Sequence, residues 1–245
     1  MAGGPRPPLT AVTVTALVSG GKDSVYAAYL CDTQGWPVDE LVTVVPDDPE
    51  SMMFHTPNLD LVALQAEAWG KRHRRVPVRG RGEADELEAL DRALRRSRGP
   101  VVTGAIASSY QWARLVKVAD RLGRRLYAPL WRKDPERVVR EELAAGLDIR
   151  FVHLAAEPLP LGWAGERLTP ERLDELARLG RGVRRVNVAG EGGEYETLVV
   201  DAPFFAASIE VERAETVVER STARFVISSA HLKRRTGVGP SGPPP

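Results

Sequence analysis

Cysteine is almost absent from this 245-residue chain, where Cys31 stands alone. One thiol excludes a disulfide framework and any multi-cysteine metal site. The four histidines, His55, His73, His153 and His231, are scattered and form no HExxH or Cys/His zinc spacing. Long apolar runs are missing too, so nothing approaches the roughly 20 residues that span a bilayer. The opening Met1–Thr10 is rich in Pro and Gly and lacks the apolar core of a signal peptide. A cytoplasmic protein without a membrane partner is therefore expected. Net charge is also nearly absent, at +1. Basic runs such as Lys71–Arg75 and Lys233–Arg235 are offset by acidic stretches such as Glu83–Glu88, and read as solvated surface. The overall balance does not favour nucleic acid as a partner.

What is present is a core: 43% of the residues are hydrophobic, close to the globular average. Val12–Val18 is rich in β-branched residues and ends at a Ser-Gly-Gly turn, the pattern of a buried strand. Helical spacing follows over Ser24–Thr33, then a strand over Leu41–Val45, a helix over Asn58–Gly70 and a short strand at Val76–Val78. A helix over Glu83–Arg96, a strand over Val101–Ile106, a helix over Tyr110–Leu122 and a strand over Leu126–Trp131 complete the first part. This alternation predicts an α/β fold, a doubly wound parallel sheet with right-handed crossovers. Ligands of such sheets sit at the strands' carboxyl ends, where the strand order reverses.

The second part reads differently. A helix over Glu136–Ala145 and a strand over Ile149–Leu154 precede a helix capped by Thr169, with Pro170 in its favoured first position. Strands are expected at Val183–Val188, Thr197–Val200, Ser208–Arg213, Thr216–Glu219 and Ala223–Ser228. The division expected is a flexible N-terminus (1–10), a first α/β domain (11–131), a smaller C-terminal α+β domain (132–232) and a flexible Gly/Pro tail (233–245).

Ser19-Gly20-Gly21-Lys22-Asp23-Ser24 lies between the first strand and the first helix. Gly20 and Gly21 allow phosphate oxygens close to the backbone. The helix beginning there aims free N–H groups and the positive end of its dipole at the same point. Lys22 adds a charge, Ser19 and Ser24 add hydroxyls, and Asp23 is a candidate Mg²⁺ ligand. The segment is not a Walker A loop, because Ala16 and Asp23 stand where that pattern needs Gly and Ser/Thr.

It resembles the SGGxDS loop of the PP-loop ATP pyrophosphatases, which implies cleavage of ATP to AMP and pyrophosphate. Four further stretches are similar to the diphthine–ammonia ligase family, and all five follow that family's order. They are Met53–Asn58; Thr103–Ile106 with Tyr110, Gln111 and Arg114; Pro129–Trp131 with Asp134; and Gly190–Thr197, which reads GEGGEYET. The resemblance implies ATP and Mg²⁺ as cofactors, with Ser19, Gly20, Gly21, Lys22, Asp23, Ser24 and Gly104 at the nucleotide. The same resemblance implies that Lys22, Asp23 and Ser24 carry the chemistry and that Asp23 holds the metal. It implies that diphthine on translation elongation factor 2 is adenylated on its carboxylate and that ammonium then yields the amide. Tyr110, Gln111, Arg114, Glu191, Gly192, Gly193, Glu194, Tyr195 and Glu196 would form the substrate side. There, clustered carboxylates face a trimethylammonium or ammonium cation and Tyr195 offers a cation–π face. Homo-oligomerisation is left open. Ser109, Val116, Ala119 and Ala189 depart from the family pattern, which usually has Asp, Glu, Cys and Cys there.

Two rival functions stand beside this one. A tRNA-modifying PP-loop ligase would want a basic face, and its thiolating branch needs two cysteines. A non-catalytic nucleotide-binding module would not need an intact Lys22-Asp23-Ser24.

Overall fold

The computed structural model describes residues 12–46, 58–97, 99–155, 157–182 and 186–235. The first part of the chain forms five parallel strands: β1 (Val14–Leu17), β2 (Val38–Val45), β3 (Arg72–Pro77), β4 (Val101–Val102) and β5 (Leu126–Tyr127). They lie in the order β3-β2-β1-β4-β5. Helices α1 (Lys22–Thr33), α2 (Val62–Trp69), α3 (Glu83–Arg95) and α4 (Ser109–Arg121) connect successive strands. Strand order reverses between β1 and β4, so the loops leaving these two strands form the crevice where such sheets bind ligands. The expected doubly wound α/β sheet is the one observed.

Helix α3 buries Ala89, Leu90, Ala93 and Leu94 against β2–β4 and α4. Helix α1 joins a second, larger core shared with the rest of the chain. There α5 (Pro135–Ala144) and α6 (Pro170–Gly180) accompany a sheet of order β7-β6-β9-β8. Its strands are β6 (Asp148–Leu154), β7 (Tyr195–Asp201), β8 (Ala207–Glu219) and β9 (Thr222–Arg234), all paired antiparallel. Phe151 sits at the centre of this core against Trp163 and Tyr195. The turn after β7 docks on α1 and α2 through Phe204, which stacks on Tyr29 at 4.4 Å and packs against Trp69 at 4.5 Å. Such aromatic burial makes a directed joint between the two parts.

Several elements differ from their sequence reading. The strand expected over Val101–Ile106 is only two residues long, because Thr103, Gly104 and Ala105 leave the sheet to line the crevice, while Ile106 turns into the core. Two strands expected between Ser208 and Glu219 are one, β8, with register shifts near Arg213. Strand β9 extends to Arg234. Val186–Val188 is irregular chain and not strand, and 183–185 lie outside the described residues, as do His55 and the rest of 53–57. Among the described residues no helix is long and apolar enough to cross a membrane.

Phe151 is fully buried, and deleting a buried aromatic ring removes its transfer free energy and leaves a void. Phe151→Ala should therefore lower unfolding stability by about 3–5 kcal/mol. Urea denaturation checks this, and a loss below about 1 kcal/mol would mean that the site collapses around the void.

Candidate active site

The segment Ser19–Ser24 closes on itself through short hydroxyl contacts. The Ser24 hydroxyl donates to the Gly21 carbonyl at 3.0 Å and accepts from the Ser19 amide at 3.2 Å. Gly20 has φ of +84°, a left-handed conformation that glycine adopts at no steric cost. Helix α1 starts at Lys22, so Lys22 and Asp23 belong to its first turn. The amides of that turn have no partners within the helix. Gly104, after β4, packs directly on this turn: a Cβ there would lie 2.5 Å from the Ser24 nitrogen. That absence of a side chain holds open a backbone-lined cradle suited to an anion.

The loop is also fastened to the C-terminal sheet. The Gly20 carbonyl accepts from the Val199 amide at 3.0 Å and from the Gln65 side chain at 2.9 Å. Gln65, itself buried, donates to the Val199 carbonyl at 2.7 Å. The Lys22 amide donates to the Thr197 hydroxyl at 3.2 Å. The loop and the Gly190–Thr197 segment, 175 positions apart at Lys22 and Thr197, thus line one cavity. Its walls include Ser19, Gly21, Lys22, Asp23, Ser24, Gly104, Gln111, Glu191, Tyr195 and Glu196.

The Lys22 side chain is 1% exposed. Its ammonium is held by both Asp23 carboxylate oxygens, at 2.7 and 2.8 Å, and by the Ala189 carbonyl at 2.8 Å. Burial works against the charge, but the carboxylates of Asp23 and Glu142 outweigh it and hold the ammonium above its ordinary pKa. Lys22 is therefore a paired internal cation that pins the loop to Ala189, where the sequence suggested a charge presented openly to phosphate. Asp23 remains about a quarter exposed and faces the cavity. Glu142, on α5, escaped sequence reasoning. It is fully buried, 3.9 Å from the Lys22 ammonium, and neither carboxyl oxygen has a hydrogen-bond partner among the described residues. Burial raises its pKa well above the ordinary value, Lys22 opposes the rise and Asp23 adds to it. A signal existed: Glu142 falls three and four residues after Val139 and Val138, on the apolar stripe of an otherwise charged helix.

The three signature carboxylates have different surroundings. Glu194 is bound internally, accepting from the Asn187 amide at 2.9 Å and the Gly192 amide at 2.8 Å. It shapes the turn, and with Gly192 and Gly193 it lies outside the cavity wall. Glu191 accepts from the Ile106 amide at 2.7 Å. Burial raises its pKa, the Ile106 N–H opposes this and Asp23 adds to it. Glu196 lines the cavity 3.9 Å from His153. The Tyr195 ring faces Lys22 at 5.7 Å and its hydroxyl donates to the Val188 carbonyl at 2.5 Å. The cation over its ring is thus the internal Lys22, and Tyr195 also lines the cavity.

Of the α4 candidates only Gln111 reaches the cavity. Arg114 stacks on Tyr110 at 3.3 Å and pairs with Glu83 at 2.6 Å. The spacing suggested that both face the cleft; instead they turn to each other and to Glu83, outside the cavity lining. Asn58 ties the chain to β9, donating to the Phe225 carbonyl at 2.9 Å and accepting from the Ile227 amide at 3.0 Å.

For Mg²⁺, the donor set is Asp23 alone at the loop, and no group of three or more metal-capable side chains occurs among the described residues. That suits an ion carried largely by nucleotide phosphates and held by one carboxylate.

Comparison with known proteins follows the same two-part layout. Residues 12–126 match the diphthamide synthase N-terminal domain and residues 134–233 its C-terminal domain. The chain is 31% identical over 258 residues to the diphthine–ammonia ligase of Rattus norvegicus, covering 93% of this chain and 95% of that protein. It is 31% identical to the Homo sapiens protein of the same name, over 86% of each chain. The Schizosaccharomyces pombe protein of that name is 34% identical over 85% of this chain and 37% of its own length.

Two measurements test this geometry. Gly104→Ala pushes a methyl into the first turn of α1 and should weaken ATP binding at least about tenfold, the effect of losing one charge-assisted contact. Calorimetry giving unchanged affinity would remove the cradle from the nucleotide site. For Glu142 the sign is set by its raised folded pKa. The folded state holds the proton more tightly, so stability falls as pH climbs from the unfolded carboxylate range, about 4.3, toward the folded value. Glu142→Gln should therefore lose less stability than the parent protein between about pH 5 and 8. Parallel urea midpoints across that range would show that Glu142 does not titrate there.

Proposed function

The chain belongs to the diphthamide synthase family, and on that premise we propose that it amidates diphthine with ATP and ammonium. The observation that carries this reading is the shared cavity, where a phosphate-type cradle from one half of the chain meets carboxylates from the other. We take residues 11–131 as the part that binds ATP and 132–232 as the part that binds the modified side chain of elongation factor 2.

A carboxylate is a poor electrophile, because its charge repels a nucleophile and its oxygen leaves badly. Transfer of AMP to that oxygen removes both obstacles and releases pyrophosphate. The protein's part is positioning and charge neutralisation. The glycine turn and the first turn of α1 would grip the departing phosphates, with Ser19 and Ser24 close by. Mg²⁺ at Asp23 would neutralise phosphate charge when bound. Gly104 keeps the cradle open, Lys22 anchors the loop, and Gln111, Glu191 and Glu196 line the wall available to the acceptor.

The test is incubation with ATP, Mg²⁺, ¹⁵N-ammonium and elongation factor 2 carrying diphthine. Expected products are AMP and pyrophosphate in equal amounts to an amide bearing the label, read by mass spectrometry. ADP formation would refute the PP-loop chemistry. AMP release stimulated by tRNA, with the diphthine carboxylate unchanged, would move the substrate to RNA.

A further inference from the structure

Glu191 occupies an unusual position among the cavity carboxylates. Its Oε1 is fixed by the Ile106 amide at 2.7 Å and the neighbouring Ala107 amide also acts on the carboxylate, while Oε2 is buried and completes no hydrogen bond among the described residues. The side chain nevertheless lines the cavity shared with Ser19, Gly21 and Asp23. A carboxylate oxygen desolvated without a donor costs free energy that a ligand donor can recover. We propose that Glu191 Oε2 seats the ammonium ion that supplies the amide nitrogen, and takes a proton from it. The proposal rests on the amidation reading above and assigns one of its two cations to one residue.

Ammonium fits this oxygen and a quaternary cation does not. A trimethylammonium group has no N–H and cannot satisfy a buried acceptor by hydrogen bonding. Ammonium carries four N–H donors and is small enough for a confined position. Glu194 is excluded because the Asn187 and Gly192 amides already occupy both its oxygens. Ammonium itself is no nucleophile, having no lone pair. Transfer of one proton to Oε2 leaves ammonia, whose nitrogen attacks the acyl carbon of the adenylate. A C–N bond forms, the bond from carbon to the adenylate oxygen breaks, and AMP leaves with that electron pair. The nitrogen then sheds one proton to solvent as the amide forms, and Glu191 returns its own proton to solvent before the next cycle. Burial, which raises the affinity of Glu191 for a proton, makes it a better base than an exposed carboxylate. The charged and titratable groups facing this cavity are Lys22 and Asp23 from α1 and Tyr195 and Glu196 from β7. The segment after β4 and helix α4 contribute uncharged Thr103, Gly104, Ala105 and Gln111.

The experiment compares the parent protein with Glu191→Gln, which keeps an oxygen for the Ile106 amide. Diphthine-dependent ATP–pyrophosphate exchange reads adenylation alone, and amide formation reads both steps. Glu191→Gln should reduce amidation by ammonium about 10²-fold more than it reduces exchange. Its amidation rate should climb about tenfold per pH unit with the free ammonia, while the parent levels off once Glu191 is ionised. Hydroxylamine, largely neutral near pH 7 and needing no base, should restore the variant to near the parent rate. Equal losses with hydroxylamine and ammonium, or an unchanged pH profile, would overturn the assignment to Glu191. Thermal melting equal to the parent's would exclude misfolding as the cause of any loss. Absence of diphthine-dependent exchange in the parent protein would instead refute the amidation reading, and this inference with it.

Discussion

Everything at the cavity depends on one buried cation. The Lys22 ammonium is enclosed, and its bonds to Asp23 and to the Ala189 carbonyl join the first turn of α1 to the chain that leads into β7. An unpaired charge in such a place would cost several kcal/mol, and removing one partner of a buried pair typically costs about 3–5 kcal/mol. The loop conformation and the seating of the C-terminal sheet are therefore coupled through a single side chain. Gln65 and Thr197 reinforce the same joint with neutral hydrogen bonds.

That coupling accounts for the differing roles of similar residues. Glu191, Glu194 and Glu196 sit within six positions of one another, yet one caps a turn and two face the cavity. Glu191 and Glu194 lie in the turn before β7, which the positive φ values of Gly190 (77°) and Gly193 (80°) shape, while Glu196 lies on the strand itself. Gly190 is also needed for space, since a Cβ there would lie 2.8 Å from the Tyr195 carbonyl. Tyr195 in turn connects the cavity to the Phe151 core, so the packing of the second sheet and the shape of the site share one aromatic contact.

Asp23 and Glu142 show how burial separates two carboxyls around one ammonium. Asp23 is partly exposed, directly bonded to Lys22 and available to the cavity. Glu142 is sealed away behind it. The desolvation of Glu142 and the nearness of Asp23 both favour its neutral form, against the pull of Lys22.

Local pattern was enough to determine the alternating β and α elements, the parallel sheet, the strand–loop–helix setting of Ser19–Ser24 and the Thr169 cap, which accepts from the Arg172 amide at 3.3 Å. These follow from periodicity, glycine placement and capping chemistry, all of which act within a few residues. Ser19, Gly21, Lys22, Asp23, Ser24, Gly104, Gln111, Glu191, Tyr195 and Glu196 were legible as site candidates, and the cavity does gather them. Their partners were not legible. That Arg114 turns to Glu83, that Tyr195 faces Lys22, that Glu194 closes its own turn and that Glu142 lies behind the loop are facts of tertiary packing. The reason is physical. A side chain's periodicity fixes the face it occupies, but the groups that meet it there come from strands and helices distant in the chain. Only the folded arrangement decides which of them share a low-dielectric space.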